Sequence, residues 1–188
     1  MPCGDGGMIT SNDRQLIEKC REMTWFGVSS TWSRTKGESG KPGYAWDYEV
    51  DLIGYKYYMI DIMAAICLEQ MKKLPFHLKF RRHIQKRYND ELPSIIERPP
   101  HSETVQYYCA RVPSIYRDSL IDFLASKKIH TSVHFKPLYL YGPLSQNRSY
   151  PVCDEEWPRL ITLPCHNRME EADIDYVIYW VKEFFNSL

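Results

Sequence analysis

Gly4-Asp5-Gly6-Gly7-Met8-Ile9-Thr10 is a glycine-rich turn running into a short apolar run, with only Met1, Pro2 and Cys3 ahead of it. Glycine reaches backbone conformations closed to other residues, so three in four positions mark a tight turn. Met8-Ile9-Thr10 reads as a buried strand end, and such a turn normally follows earlier scaffold, so the expectation is a chain that begins in mid-fold. Ser11-Asn12-Asp13 then offers a helix cap. Leu16, Ile17, Cys20 and Met23 recur at helical spacing and predict an amphipathic helix laid on a core.

Residues 27–44 are rich in glycine and serine and read as a loop, with Trp25, Trp32, Tyr44 and Trp46 in and around it. Aromatics in a loop usually pack against something, and a partner subunit is a natural candidate. Met59 to Leu68 is apolar almost all round, which predicts a helix buried on every side. Pro75 interrupts it, and Phe76, Phe80, Ile84 and Tyr88 continue at steps of four toward Pro93. Lys79, Arg81, Arg82, Lys86 and Arg87 occupy the other faces; a solvated helix face is favoured over a nucleic-acid surface.

Beyond residue 100 the pattern changes: Val105–Val112, Ile129–Phe135 and Leu160–Leu163 read as strands. Ser114 is placed as the cap of a helix whose Leu120, Ile121 and Leu124 face inward. The last helix starts in Glu170-Glu171-Ala172-Asp173, where acidic groups suit the positive end of the helix dipole. Ile174, Val177, Ile178, Val181 and Phe184 give it one apolar stripe. The second half therefore reads as a small α+β unit.

The bulk numbers agree with a folded chain. Its 188 residues are 44% hydrophobic, enough for a substantial core. The 24 basic and 24 acidic residues cancel, leaving no global field to draw nucleic acid or an anionic membrane. No apolar run approaches the roughly 20 residues that span a bilayer. The N-terminus shows no basic-then-apolar leader. Cys3, Cys20, Cys67, Cys109, Cys153 and Cys165 have no paired spacing, and Cys165-His166 is only an adjacent pair. They read as reduced structural thiols of a cytoplasmic protein, with no metal site.

Four segments in order carry a family resemblance. They are Gly4 to Thr10; Gly54-Tyr55-Lys56-Tyr57-Tyr58-Met59-Ile60-Asp61-Ile62 with Ala64-Ala65 and Gln70; Val133-His134-Phe135-Lys136-Pro137-Leu138; and Leu163-Pro164-Cys165-His166. Together they resemble the C-terminal half of the DegT/DnrJ/StrS-type sugar aminotransferases, which use pyridoxal 5'-phosphate. The resemblance implies an α/β fold of aminotransferase fold type I. Residues 1–75 would be the tail of the large cofactor-binding domain, residues 76–188 the small C-terminal α+β domain, and the interrupted helix around Pro75 would join them.

The family's chemistry turns on a lysine that forms a Schiff base with the cofactor aldehyde. In that register it falls just ahead of Met1, and the first lysine present is Lys19, so the expectation is no catalytic lysine in this chain and no activity by the chain alone. The resemblance assigns Lys56, with Tyr55 beside it, to the cofactor phosphate of the other subunit of a homodimer. The alternative is an ordinary surface lysine. It likewise sets His134 near the substrate, the alternative being a histidine capping a strand end, and puts Tyr139 where many relatives carry a second histidine. Tyr58 and Ile60 depart from residues that are usually polar or charged in the family, and Thr24-Trp25-Phe26-Gly27 departs from Arg-x-His-Gly.

The implied reaction moves an amino group, typically from glutamate, to a keto-sugar nucleotide, with the N-terminal half supplied from elsewhere. A second reading is a non-catalytic subunit or remnant that docks onto a partner chain, motivated by the apolar helix from Met59 and the aromatic loop.

Overall fold

The computed structural model describes residues 3–28, 46, 48–145 and 148–188. Most of the aromatic loop expected at 27–44, including Trp32 and Tyr44, lies outside the described residues. The chain divides into two compact units, Met1–Leu74 and Pro75–Leu188.

In the N-terminal unit, helix α1 (Arg14–Thr24) begins where Asp13 accepts hydrogen bonds from the amides of Gln15 (2.9 Å) and Leu16 (3.1 Å). The carboxylate satisfies two of the amides that a helix N-terminus leaves without partners. The helix is amphipathic, yet none of its residues is buried. Met8 and Ile9 form no strand and are 77% and 62% exposed, which corrects the strand-end reading. Gly4 adopts a left-handed φ of 86°, so the turn does need glycine.

Helix α2 (Asp61–Glu91) runs through Pro75 without a break, against the expected interruption. Proline removes one donor, the bond that would reach the Met71 carbonyl, while the turns on either side keep theirs. The first half of α2 is not buried all round: Ile62, Ile66 and Leu68 are exposed. Among the described residues of the N-terminal unit, only Cys3, Val28 and Cys67 have buried side chains.

The C-terminal unit holds the core. Strands β1 (Tyr108–Arg111) and β2 (Leu160–Leu163) pair antiparallel, Tyr108 opposite Leu163 and Arg111 opposite Leu160. Glu97 exchanges both backbone bonds with Arg111, and Ser132 does the same with Thr162, so each outer edge of the pair carries one bridging residue. Expected strand 129–135 is reduced to that Ser132 bridge, and expected strand 105–112 is shorter at both ends.

Helices α3 (Ser114–Ser126) and α5 (Glu171–Asn186) complete the unit, with a short α4 (Pro151–Glu156) between them in the chain. Pro113, not Ser114, occupies the cap position of α3. Glu170 and Asp173 form a reciprocal capping box at the start of α5. Its stripe of Ile174, Val177, Ile178, Val181 and Phe184 is buried against Ile84 and Tyr88 of α2, Leu120 and Leu124 of α3, and both strands. Arg98 donates to the carbonyls of Asn89, Leu92, Pro93 and Ile96, closing the C-terminal end of α2.

Candidate functional site

Lys56 and Tyr55 lie in the N-terminal unit on an extended segment fastened to the end of α1. The Phe26 amide donates to Tyr55 O (3.0 Å), the Tyr55 amide to Met23 O (2.7 Å) and the Tyr57 amide to Thr24 O (2.9 Å). Trp25 and Lys56 form a β-bridge, and the Asp51 amide donates to Gly27 O at 3.1 Å. The two backbones approach this closely because both crossing points are glycine. A Cβ on Gly27 would sit 1.7 Å from Leu52 O, and one on Gly54 2.2 Å from the Gly27 nitrogen. Gly27 also holds a left-handed φ of 78°. This explains Phe26-Gly27 and Gly54 in physical terms: they are where two chain segments touch.

On that frame the Lys56 ammonium projects outward, 5.9 Å from the centroid of the Tyr58 ring, which packs edge-on against Trp25 at 4.7 Å. Tyr55 stacks on Tyr57 (5.0 Å, 9° between planes). No carboxylate among the described residues pairs with Lys56. The backbone beneath this lysine is pinned, while its ammonium is exposed and open to an anion.

His134 and Tyr139 lie in the C-terminal unit. The Nδ1 of His134 is 2.9 Å from Thr162 Oγ1; its ring stacks on Tyr107 (4.1 Å, 22°) and meets Phe135 edge-on (4.6 Å, 83°). Tyr139 donates its phenolic proton to Asp154 and stacks on Tyr150 (4.8 Å, 22°). The neighbouring carboxylate holds the Tyr139 hydroxyl well above the ordinary phenol range. Its proton is therefore committed to Asp154, and what remains for a ligand is an acceptor oxygen. Among the described residues His134 and Tyr139 share no partner: one is bonded to β2, the other to α4.

Tyr107 and Thr162 were not legible as neighbours of His134, because each reaches it across more than 20 positions of chain. Arg87, read from the sequence as part of a solvated helix face, joins Glu91, Glu171 and Asp175 in one ion-pair cluster tying α2 to α5. His, Cys, Asp and Glu side chains form no metal-holding group among the described residues.

The model of the DegT/DnrJ/EryC1/StrS aminotransferase family matches residues 1–182. The chain belongs to this family. SpsC of Bacillus subtilis, a spore coat polysaccharide biosynthesis protein, is 30% identical over 96% of the chain and 49% of its own length. Among solved structures, the aminotransferase TlmJ of Streptoalloteichus hindustanus superposes with a TM-score of 0.81 at 24% identity, over 98% of this chain and 49% of that one. Spr1654 of Streptococcus pneumoniae, in its PLP-form, gives 0.76 at 26% identity, over 94% of this chain and 45% of that one. The chain spans about half the length of the curated relatives it matches. As a member of the DegT/DnrJ/EryC1/StrS aminotransferase family, it has the mixed α/β architecture expected of part of a PLP-type aminotransferase. No helix of the described residues is long and apolar enough to cross a membrane.

Proposed function

We propose that this chain is the C-terminal portion of a pyridoxal 5'-phosphate-dependent nucleotide-sugar aminotransferase of the cytoplasm. Residues 1–75 continue its large cofactor-binding domain and residues 76–188 form its small domain. One observation carries the reading: Lys56, without a carboxylate partner among the described residues, stands on a segment pinned by backbone bonds to α1. An exposed ammonium on a pinned segment suits the phosphate end of the cofactor as a point charge, so the residues present fit that end of the group. Lys56, with Tyr55 beside it, holds the phosphate belonging to the other subunit of a homodimer. The PLP-form of Spr1654 supports the cofactor, and the polysaccharide role of SpsC supports the sugar substrate.

When bound, the cofactor supplies the electron sink by which an amino group passes from an amino acid such as glutamate to a keto-sugar nucleotide. This chain's residues position that chemistry. His134 meets the substrate through its second ring nitrogen, and Tyr139 through its acceptor oxygen. No lysine stands at residues 1–3 ahead of the glycine turn, and no residue of this chain is assigned the Schiff-base role. Purified chain 1–188 mixed with cofactor is expected to show neither the yellow colour of lysine-bound cofactor nor turnover; both together would refute the proposal. In the assembled enzyme, Lys56→Ala is expected to weaken cofactor binding by about 10- to 100-fold, the worth of one hydrogen bond to a charged group.

A second reading, a non-catalytic subunit docked on a partner chain, is favoured by the exposure of Ile62, Leu68 and Met71 on α2. Hydrogen exchange and size exclusion separate the two states of such a chain: a monomer protected throughout its N-terminal unit would count against docking.

A further inference from the structure

We infer that Thr162 is a positioning residue that fixes His134 as the tautomer protonated on Nε2, so that His134 presents a hydrogen-bond donor to an oxygen acceptor. Thr162 is buried on β2, between Cys109 on one side and Ser132 on the other. Its backbone amide and carbonyl are both used by Ser132. Among the described residues its hydroxyl has one partner, His134 Nδ1 at 2.9 Å. A neutral imidazole carries one proton, and the nitrogen without it accepts. If Nδ1 carried that proton and donated to the threonine, the threonine's own proton would be left inside the fold without an acceptor. A buried donor with no partner is the arrangement folded proteins avoid. The hydroxyl therefore donates to Nδ1, and the ring proton sits on Nε2.

The remaining freedom of the imidazole is rotation, and the stacked Tyr107 ring restricts it. Nε2 has no partner among the described residues and is not among their buried unpaired atoms, so it is open to a ligand. A donor aimed outward from a fixed ring recognises an oxygen acceptor, such as a sugar hydroxyl or carbonyl oxygen. This assignment of ligand rests on the reading of His134 as a substrate contact.

The test is the long-range nitrogen–proton spectrum of the chain labelled with nitrogen-15 histidine, recorded near neutral pH without ligand. A single tautomer protonated on Nε2 is expected for His134 in the wild type and in Thr162→Ser, which keeps the hydroxyl. In Thr162→Val the two ring nitrogens are expected to move toward each other in shift, as the tautomers average. Protonation on Nδ1 in the wild type would overturn the inference, as would a Thr162→Val spectrum identical to it. The wild-type spectrum decides the matter even if the valine variant fails to fold. The ligand reading is tested apart from this: full transamination by His134→Ala in the assembled enzyme would remove the substrate role and leave the tautomer assignment standing.

Discussion

Replacing Gly27 with alanine tests whether the Lys56 segment is held by the close crossing of two backbones. A Cβ at this position would lie 1.7 Å from Leu52 O, against the 3.0 Å that real Cβ atoms keep, so the segments must part by about 1.3 Å. The atoms this Cβ would meet are all backbone, and no rotamer change relieves the clash. The Asp51–Gly27 bond, 3.1 Å long, would open beyond hydrogen-bonding range, and the Phe26–Tyr55 bond next to it would follow. Two such bonds are worth roughly 2 kcal/mol net. Holding alanine at the left-handed φ of 78° adds about 1 kcal/mol. A local loss of about 3 kcal/mol corresponds to roughly a 100-fold fall in protection. Native-state hydrogen exchange at the Phe26, Tyr55 and Tyr57 amides reads it directly. Gly7→Ala is the control, since a Cβ there meets nothing within 4 Å. Unchanged exchange in Gly27→Ala would refute the reasoning, because the crossing would then not be what holds Lys56 in place.

Three further outcomes follow from the C-terminal unit. Tyr88→Phe removes a fully buried hydroxyl that donates to Pro164 O at 2.9 Å, and is expected to cost about 1–2 kcal/mol in urea unfolding. The Arg87 guanidinium holds the Glu91 carboxyl below its ordinary value of 4.5, so this contribution to stability is present above that value and is lost as pH falls through the lowered one. Thermal melts from about pH 5 to pH 3 should therefore show a shallower acid-side decline in Arg87→Ala than in the wild type, since that carboxyl then titrates near its unfolded value. Burial pushes the Cys165 thiol up to about 11, so alkylation at mildly alkaline pH followed by mass spectrometry should leave Cys165 unmodified until the unit unfolds.

The C-terminal unit was the more legible half. The α5 stripe, its acidic start and β2 stand where periodicity put them, because each depends on residues close in sequence and on one buried face. The segment 129–135 failed as a strand for a reason periodicity does not carry: among its residues only Ser132 bridges to a strand, the Ile129 amide turns back to Leu124 O at the end of α3, and Pro137, which cannot donate to a ladder, follows closely. In the N-terminal unit the apolar patterns of α1 and of residues 59–68 predicted helix type correctly and burial wrongly. A stripe records what a surface is suited to contact, and among the described residues nothing covers Leu16, Ile62 or Leu68. Of the candidate site, the motifs located Lys56 and His134, while their settings were illegible. The Trp25–Lys56 bridge and the Thr162–His134 bond join positions about 30 residues apart, and no local pattern encodes such a contact.

The bridges at Glu97 and Ser132 bear on how the protein behaves when concentrated. A two-stranded sheet ordinarily leaves both sides open as templates for a further strand, the common route to edge-to-edge aggregation. Here Arg111 on one side and Thr162 on the other already spend their backbone groups on single-residue bridges. An incoming strand would find each register interrupted at the middle or end of a four-residue edge. Self-association through this sheet is disfavoured, which directs any clumping of the chain toward the apolar side chains of α1 and α2 instead.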